Sequence, residues 1–406
     1  MRIAMFSDNF YPEMSGISDS IIESARELAK LGHQVDFYAA KYSKKDFEIY
    51  GVPLEELDLG ENVNIHRFFA FRYPAPTKQG RMVVPTFLRW LRMKNNRPDI
   101  IHVHHYFGVG IEALAASRFL RVPLVGTNHT PITEFLKYGP IQHKLIDKAF
   151  LNYVSWFYNR CAFVSAPCGA IFTEMKANKF KKPQRVISNP VDLKNFYPVS
   201  REEKNEIKKE FGLSDFTVLY TGRLAAEKHV DVLIRAIAAV RKKIPHITFA
   251  ITGHGAAEKG LKALAEELEI ADKVKFFGTL STTKHARIYK AADVFAIAST
   301  AEMQSLSLMK AMATGTPVIG VNAWALPEYI NEKNGFILEP GDHAGIAEKI
   351  IFLFENPEQA NKLGANGMEM VQEFAPEEIA RKWEVIYKEV SSDHRAGNKR
   401  KKYSPR

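Results

Sequence analysis

Two basic residues follow a predicted strand in the second half of the chain, at a spacing suited to binding a diphosphate. The loop after this strand reads Thr221-Gly222-Arg223-Leu224-Ala225-Ala226-Glu227-Lys228, so Arg223 and Lys228 stand five residues apart. Arginine offers phosphate oxygens a planar fork, and lysine offers a mobile point charge. Together they could neutralise a diphosphate leaving group without a metal ion. A chance pair of surface cations is the alternative interpretation.

A carboxylate, Glu302, stands just before a predicted helix at 306–313. The first free N–H groups of that helix would come from Gln304, Ser305 and Leu306, and amides at a helix start favour phosphate. This pattern places phosphate donors beside a carboxylate that could face a sugar. Read without its context, Glu302 could equally be a helix-capping carboxylate.

A glycine, Gly16, ends the loop that follows the first predicted strand and opens a helix. A glycine there lets backbone N–H groups approach an anion at the positive helix end. An ordinary strand–helix turn would need the same glycine. The chain contains no Gly-x-Gly-x-x-Gly at this loop, no Walker sequence and no strict Asp-x-Asp triplet. No metal site is predicted, in keeping with metal-free chemistry.

Two successive series of strands and helices must position these residues. Strands are predicted at 3–6, 34–38, 64–68, 100–103 and 124–127 in the first half, with a helix over 17–31. The second half restarts with strands at 217–220, 247–252, 274–277, 294–298, 317–321 and 335–338, and with helices at 230–243, 260–269, 306–313 and 343–354. This alternation predicts an α/β fold with two Rossmann-like domains facing across a cleft, with ligands beyond the carboxyl ends of the strands.

The seam between the two domains is predicted near Pro190, which interrupts regular structure. The domains are therefore 1–189 and 190–375. A final helix over 376–390 is expected to pack back toward the N-terminal domain, because Pro376 suits a first-turn position. The tail 391–406 is basic and nearly devoid of apolar residues, so it is expected to be disordered.

The charge of the 406-residue chain is uneven. The net charge is +10, and eight basic residues with no acidic one occupy Arg67 to Arg97. Such a field suits an anionic surface, although a solvated basic face would look the same. With only two cysteines and neither a signal peptide nor a spanning segment evident, a cytoplasmic location is predicted. A basic tail leaves nucleic-acid binding open, but no recognised module appears, so no nucleic-acid partner is expected.

Taken in order, these motifs resemble the retaining nucleotide-sugar glycosyltransferases of family 4, which have two Rossmann-like domains (the GT-B architecture). The resemblance covers roughly residues 1–390 and is most specific at 222–228 and 302–317. Supporting pieces are Asn189-Pro190-Val191-Asp192, Gly253-His254-Gly255, Phe276-Phe277-Gly278 and Leu326-Pro327-Glu328.

The resemblance implies a role for each candidate. The N-terminal domain would bind the acceptor and the C-terminal domain the donor, a nucleotide-diphosphate sugar, with a UDP-linked sugar favoured and no other cofactor. Glu302 would contact the transferred sugar, and His129 would lie near the reacting centre. The implied donor-binding residues are Gly16, Arg223, Lys228, Gly253, Gly278, Thr279, Gln304, Ser305, Leu306 and Lys310. Read alone, His129 would more commonly be a structural histidine.

Among the departures from the family pattern, one at Lys310 matters most. Lys310 stands where the second glutamate of Glu-x7-Glu is expected, and that carboxylate holds the nucleotide ribose hydroxyls in the family. Lysine has donors but no acceptor, so it cannot fully reproduce this contact. A catalytically degenerate donor-binding protein is therefore one alternative. Ser15 also stands where a second glycine is usual.

The predicted reaction is front-face transfer of a hexose to an acceptor hydroxyl with retained anomeric configuration, independent of metal. The stretch 128–138 looks like that of diacylglycerol glucosyltransferases. Basic segments interleaved with Phe69, Phe71, Phe87, Trp90 and Trp156 would suit docking on anionic lipid, on the inner face of the plasma membrane. The alternative acceptor is a soluble sugar or a polysaccharide. The alternative interpretation of the aromatics is that they are core residues beside a solvated basic face.

Overall fold

A computed structural model describes residues 1–13, 15–50, 52–72, 81–137 and 143–403. The chain divides into two compact units, one formed by Met1–Pro190 with Pro376–Arg406 and the other by Val191–Ala375. The boundary between Pro190 and Val191 lies one residue after the domain seam predicted at 189/190. Among the described residues, no helix is long and apolar enough to cross a membrane.

The first unit is built on a seven-stranded parallel sheet in the order β3-β2-β1-β6-β7-β8-β9, with a separate antiparallel hairpin, β4-β5. Its strands are β1 Arg2–Ser7, β2 Gln34–Ala40, β3 Val63–Phe68, β4 Ala70–Arg72, β5 Arg81–Val83, β6 Ile100–Val103, β7 Leu124–Thr127, β8 Phe163–Ala166 and β9 Gln184–Val186. Its helices before residue 190 are α1 Gly16–Lys30, α2 Lys44–Tyr50, α3 Trp90–Met93, α4 Val109–Leu120, α5 Ile132–Lys137, α6 Lys144–Tyr158 and α7 Gly169–Ala177.

The second unit is built on a six-stranded parallel sheet in the order β12-β11-β10-β13-β14-β15. Its strands are β10 Phe216–Thr221, β11 Ile247–Thr252, β12 Val274–Gly278, β13 Val294–Ala296, β14 Val318–Val321 and β15 Gly335–Leu338. Its helices are α8 Arg201–Glu210, α9 Val230–Val240, α10 Glu258–Glu267, α11 Thr282–Ala291, α12 Leu306–Ala313, α13 Leu326–Tyr329, α14 His343–Glu355 and α15 Pro357–Val371, with short 3-10 helices at Ala226–Lys228 and Gln372–Phe374.

Both sheets are parallel because their strands are apolar on both faces and helices cover them. Every residue of β6, β7 and β11 is buried, as expected for strands enclosed on two sides. The predicted class, two α/β units with parallel sheets, is confirmed. In each unit the candidate residues lie after the carboxyl ends of the central strands.

The last helix, α16 (Pro376–Tyr403), belongs to the first unit and packs against α1. It begins at the predicted Pro376 but continues well beyond residue 390. The expected disordered tail is therefore wrong for residues 391–403, while 404–406 lie outside the described residues. The helix continues because His394 bonds to the Arg121 carbonyl at 3.0 Å and Arg395 donates to Asp99 at 2.9 Å.

Candidate active site

Three glycines bring the loops after β10, β11 and β12 into direct backbone contact. Gly222 N–H donates to the Thr252 carbonyl at 3.1 Å, and Gly253 N–H donates to the Gly278 carbonyl at 2.7 Å. Gly253 has φ of +107°, and a Cβ there would lie 2.0 Å from the Gly222 carbonyl oxygen. A residue with a side chain would clash at this close contact. The geometry therefore requires glycine at position 253, the first residue of Gly253-His254-Gly255.

The next residues of these loops continue the same contact. Leu224 N–H donates to the His254 carbonyl at 3.0 Å, and His254 Nδ1 lies 2.8 Å from Thr279 Oγ1. The predicted donor residues Gly253, Gly278 and Thr279 are therefore neighbours at one edge of the sheet.

The two predicted cations of the β10 loop are each paired with a carboxylate. Arg223 donates to Glu227 Oε1 at 2.5 Å, and Lys228 Nζ lies 2.6 Å from Glu302 Oε1. The Arg223 side chain is 48% exposed, whereas Lys228 and Glu302 are only 16% and 13% exposed. Two cations that face two carboxylates in this way can exchange those partners for phosphate oxygens.

Backbone contacts hold Glu302 against the β10 loop. The Glu227 carbonyl accepts from Thr300 N–H at 3.2 Å and from the Ser299 hydroxyl at 3.3 Å. Glu302 itself accepts through its carbonyl from Ala325 N–H at 3.1 Å. The loop after β13 is therefore tied to the loop after β10, and this brings Glu302 to Lys228.

Helix α12 starts where the sequence predicted, and its cap is Ser305. The Ser305 hydroxyl accepts from Leu308 N–H at 3.3 Å, which is the usual N-cap contact. The Glu302 carboxylate is bonded to Lys228 instead, so its side chain is not the cap. Gln304, Ser305 and Leu306 lie at the start of the helix, with Gln304 and Ser305 buried.

Lys310 points toward an aromatic cluster. Its ammonium lies 5.0 Å from the centre of the Phe196 ring, a cation–π contact. Phe196 also meets His285 edge-on, and His285 Nε2 lies 3.0 Å from Thr221 Oγ1 at the end of β10. Burial, followed by the charge of Lys310, lowers the pKa of His285 to about 4.

In the first unit, Gly16 is the first residue of α1, and it is exposed. Ser15 precedes it as the N-cap, accepting from Ser18 N–H at 3.2 Å. The serine that departs from the family pattern is thus explained locally, since serine caps a helix better than glycine.

Two buried carboxyl groups flank this loop. Asp8 accepts from Val83 N–H at 3.0 Å and lies near Val109 N–H, while Glu13 accepts from Asn9 at 2.8 Å and from the Tyr42 hydroxyl. Burial raises the pKa of Asp8 to about 7, and burial likewise raises the pKa of Glu13 to about 7.

His129 lies in a cluster of buried histidines at the ends of β6 and β7. His129 Nε2 is 3.0 Å from His104 Nδ1. His102 Nδ1 is 2.6 Å from the Tyr387 hydroxyl, and His102 Nε2 is 2.7 Å from Thr127 Oγ1. His104 therefore occupies Nε2 of His129, and Nδ1 is the other ring nitrogen.

Burial keeps these imidazoles neutral. It lowers the pKa of His102 to about 3 and that of His129 to about 3, the latter with a smaller contribution from the charge of His105. The pKa of His104 is lowered well below the usual value, first by burial and then by His102. At neutral pH His129 can therefore donate or accept a hydrogen bond but carries no charge.

Acidification from about pH 6.5 to about pH 4.5 is expected to destabilise the first unit. In the unfolded chain, His102, His104 and His129 would become protonated over this range. In the folded chain they would stay neutral, because their pKa values are lowered. Asp8 and Glu13 act in the opposite direction, because their raised pKa values let the folded state take up protons first. The histidines of this unit are more numerous, and His105 shifts with them because burial lowers its pKa to about 4. Thermal unfolding measured across this range should show a falling midpoint, and a rising one would contradict the neutral histidine cluster.

The segment after His129 is held at its start by Glu174. The two carboxylate oxygens of Glu174 accept from Ile132 N–H and Thr133 N–H, each at 2.9 Å. These contacts satisfy two N–H groups of the first turn of α5. Tyr138, the end of the stretch predicted to resemble lipid-directed relatives, lies outside the described residues.

The structure thus gathers nine predicted residues in the second unit. Gly278 is the last residue of β12, and the other eight follow β10, β11, β12 and β13: Arg223, Lys228, Gly253, Thr279, Glu302, Gln304, Ser305 and Leu306. Lys310 lies on α12, facing Phe196. Gly16 and His129 belong to the first unit.

Two residues that sequence reasoning left without a role stand out beside this set. Glu227 pairs with Arg223, and His104 contacts His129. No sequence pattern singled out His104, which lies directly after the end of β6.

Comparison with known proteins assigns the family. Residues 14–195 match the family described as Glycosyltransferase Family 4, and residues 201–370 match Glycosyl transferases group 1. Over 349 residues the chain is 30% identical to the alpha-monoglucosyldiacylglycerol synthase of Streptococcus pneumoniae, covering 84% of this chain and 76% of that protein. The chain belongs to the family 4 glycosyltransferases.

A second relative and a solved structure agree with this membership. The family 4 chain is 26% identical over 404 residues to the alpha-monoglucosyldiacylglycerol synthase of Acholeplasma laidlawii, covering 95% of this chain and 96% of that protein. The crystal structure of Anabaena Alr3699/HepE in complex with UDP matches with a TM-score of 0.74 at 20% identity, covering 97% of this chain and 100% of that one. The fold of this glycosyltransferase is therefore GT-B.

Proposed function

We propose that this glycosyltransferase moves a hexose from a nucleotide-diphosphate sugar, with UDP as the favoured nucleotide, to a hydroxyl of a lipid such as diacylglycerol. The observation that carries the proposal is the ion pair of 2.6 Å between Lys228 and Glu302, beside Arg223. It supplies a cation for the leaving phosphate and a carboxylate for the sugar in one place. The names of the two relatives support the lipid acceptor, and the UDP complex of the structural neighbour supports the nucleotide.

The donor diphosphate would replace carboxylates as the partner of Arg223 and Lys228. Arg223 would leave Glu227 and present its guanidinium fork to phosphate oxygens, and Lys228 would share its charge between phosphate and Glu302. The N–H groups at the start of α12 would add further donors, as would the backbone at Gly16. Gly253, Gly278 and Thr279 would border the nucleotide.

The chemical step would be a front-face transfer with retention. The bond between the anomeric carbon and the diphosphate oxygen breaks, and the electron pair stays with the diphosphate, whose charge Arg223 and Lys228 neutralise. The same oxygen takes the proton from the acceptor hydroxyl, which forms the new bond on the same face. Glu302 stabilises the positive charge that develops on the sugar ring. This scheme requires no metal ion.

His129 would act as a neutral hydrogen-bonding group toward the sugar. Its lowered pKa excludes an imidazolium near a developing cation, which it would repel. The contact from His104 leaves Nδ1 for a sugar or acceptor hydroxyl. His104 would therefore be a positioning residue for His129.

Exposed aromatic residues support a lipid acceptor at a membrane surface. Phe69 is 71% exposed, and Phe71, Phe87 and Trp156 are exposed as well. They are therefore not the core residues of the alternative interpretation. Trp90 is half-buried and stacks on Phe119, with ring centres 5.0 Å apart. Exposed aromatic side chains suit the membrane interface. This favours a peripheral location of the protein on a membrane.

Lys310→Glu is expected to tighten the binding of UDP by about tenfold, because a carboxylate can accept hydrogen bonds from ribose hydroxyls and an ammonium cannot. Isothermal titration of UDP into wild type, Lys310→Glu and Lys310→Met measures this. The Met variant removes the ammonium without adding an acceptor and serves as the control. Weaker binding by the Glu variant than by the Met variant would place the ribose elsewhere.

The proposed function is tested by a donor screen followed by turnover. UDP-, GDP- and ADP-glucose are compared by their effect on thermal unfolding, and we expect UDP-glucose to raise the midpoint most. Labelled donor is then incubated with diacylglycerol in mixed micelles or with free glucose. Label extracted into organic solvent supports the proposal. Label transferred only to the soluble sugar contradicts the lipid acceptor, and binding without any transfer points to the catalytically degenerate alternative.

A further inference from the structure

The hydrogen bond between His104 and His129 holds one proton between two ring nitrogens. His104 Nδ1 and His129 Nε2 lie 3.0 Å apart, and both rings are buried. Burial lowers the pKa of both imidazoles, so at neutral pH each ring is uncharged and carries a single N–H. One of the two facing nitrogens therefore donates the hydrogen bond and the other accepts it.

The two possible arrangements differ at the far side of each ring. If His104 donates through Nδ1, its own Nε2 is unprotonated, and His129 carries its proton on Nδ1. If His129 donates through Nε2, its Nδ1 is unprotonated, and His104 carries its proton on Nε2. The surroundings of His104 Nε2 therefore decide whether His129 presents an N–H or a lone pair to a ligand.

His104 Nε2 is buried and has no hydrogen-bond partner among the residues that the structure describes. Buried N–H groups without an acceptor are rarer in proteins than buried acceptors without a donor, and each one is costly. The first arrangement leaves only a lone pair at this position, whereas the second leaves an N–H. The surroundings of His104 therefore favour the first arrangement.

His102 cannot supply the acceptor that the second arrangement needs. Its ring packs against the His104 ring, with the ring centres 4.1 Å apart and the planes 38° apart. Its Nδ1 is 2.6 Å from the Tyr387 hydroxyl, and its Nε2 is 2.7 Å from Thr127 Oγ1. Both nitrogens of His102 are thus engaged, and Tyr387 and Thr127 hold the ring in this position.

We infer that His104 holds His129 in the tautomer that carries its proton on Nδ1. His129 then donates a hydrogen bond to an oxygen of the sugar or the acceptor and takes no proton from it. This role leaves the diphosphate oxygen as the base that receives the proton of the acceptor hydroxyl. The inference deepens the proposed transfer and rests on it for the substrate oxygen, but the tautomer itself requires no substrate.

NMR of the full chain without substrate tests the tautomer. The protein is produced with isotope-labelled histidine, and couplings between ring protons and ring nitrogens distinguish protonated from unprotonated nitrogens. The signals of His129 are assigned by their loss in His129→Gln. We expect a protonated Nδ1 and an unprotonated Nε2 in wild type. A proton on Nε2 and none on Nδ1 would overturn the inference.

His104→Asp places an acceptor where the structure has a donor. Nε2 of His129 must then carry a proton, so that either Nδ1 loses its proton or the ring becomes positively charged beside a developing cation. Both results should lower the transfer rate by at least about fivefold, roughly the contribution of one hydrogen bond. His104→Asn can still donate through its amide, so it should keep the wild-type tautomer and transfer faster than the Asp variant. Equal rates in the two variants would overturn the inference.

His343→Asp is the matched control for the change of residue type. His343 is exposed and is the first residue of α14, in the second unit. We expect the transfer rate and the His129 signals of this variant to match those of wild type. A loss of rate equal to that of His104→Asp would overturn the assignment of that loss to His129. Thermal unfolding of each variant is the check on folding, and if His104→Asp does not fold, the wild-type spectrum decides alone.

The outcome for the tautomer is separable from the outcome for the proposed function. A proton on Nδ1 of His129, without sugar transfer to lipid, supports the inference and contradicts the proposed function. Sugar transfer to lipid by a protein whose His129 carries its proton on Nε2 does the reverse.

Discussion

Glu302→Gln is expected to lower the rate of sugar transfer by about 10²- to 10³-fold, the usual effect of removing one group that stabilises transition-state charge. The substitution keeps the shape of the side chain and removes only its negative charge. The developing positive charge on the sugar would then lose its nearest carboxylate. The measurement is the initial rate of transfer from labelled donor at saturating concentrations of both substrates.

Binding of UDP separates this role from a purely structural one. Lys228 is nearly buried and is bonded to Glu302 at 2.6 Å, so Glu302→Gln leaves a cation for phosphate to neutralise. UDP affinity should therefore be unchanged or higher while transfer falls. Glu332→Gln, at an exposed position of the same unit, is the control and should match wild type in both. A parallel loss of affinity and rate in Glu302→Gln would show that Glu302 only maintains the loop.

Of the substitutions predicted here, Gly253→Ala is expected to lower the free energy of unfolding most. A Cβ at this position would lie 2.0 Å from the Gly222 carbonyl oxygen, on a backbone with φ of +107°. The β10 and β11 loops would have to separate, at a cost of about 3 kcal/mol or more. For a unit of this size that corresponds to a fall in the thermal midpoint of roughly 10 °C. Calorimetry of the whole chain measures it.

Gly260→Ala is the matched control for this substitution. Gly260 lies inside α10, and a Cβ there would meet nothing within 4 Å. Alanine in a helix should stabilise by up to about 1 kcal/mol. The two glycine variants are therefore expected to change stability in opposite directions. Equal, small changes in both would mean that the close approach of the two loops is not required.

The architecture was largely predictable because apolar runs that cross a parallel sheet are distinct in sequence. The strands Ile100–Val103, Leu124–Thr127, Ile247–Thr252 and Gly335–Leu338 lie where the pattern predicted them. Strands β8 and β9 went unpredicted, since runs of four and three residues carry little periodicity. The small hairpin β4-β5 was missed for the same reason.

The helix beyond residue 390 could not be predicted from local composition. Its sequence is basic and poor in apolar residues, which favours disorder. The contacts that His394 and Arg395 make with Arg121 and Asp99 come from residues more than 270 positions away. Only the tertiary structure brings them together.

The candidate site was predictable where backbone geometry demands a residue type and less so where side chains pair. Glycine at 253 follows from the contact with Gly222. The pairing of Arg223 with Glu227 and of Lys228 with Glu302 depends on how the β10 and β13 loops meet. From the sequence alone, Glu302 could have been either a helix cap or a functional carboxylate. In the structure Ser305 caps the helix, so Glu302 is not the cap.

The configuration of the product tests the central claim most directly. Wild-type protein is incubated with UDP-glucose, whose sugar is α-linked, and diacylglycerol, and the anomeric proton of the extracted glycolipid is observed by NMR. Transfer at a site with Glu302 facing the sugar and the diphosphate oxygen accepting the acceptor proton predicts an α-linked glucosyl lipid. A β-linked product would contradict front-face transfer, and intact donor with no glycolipid would contradict the proposed function.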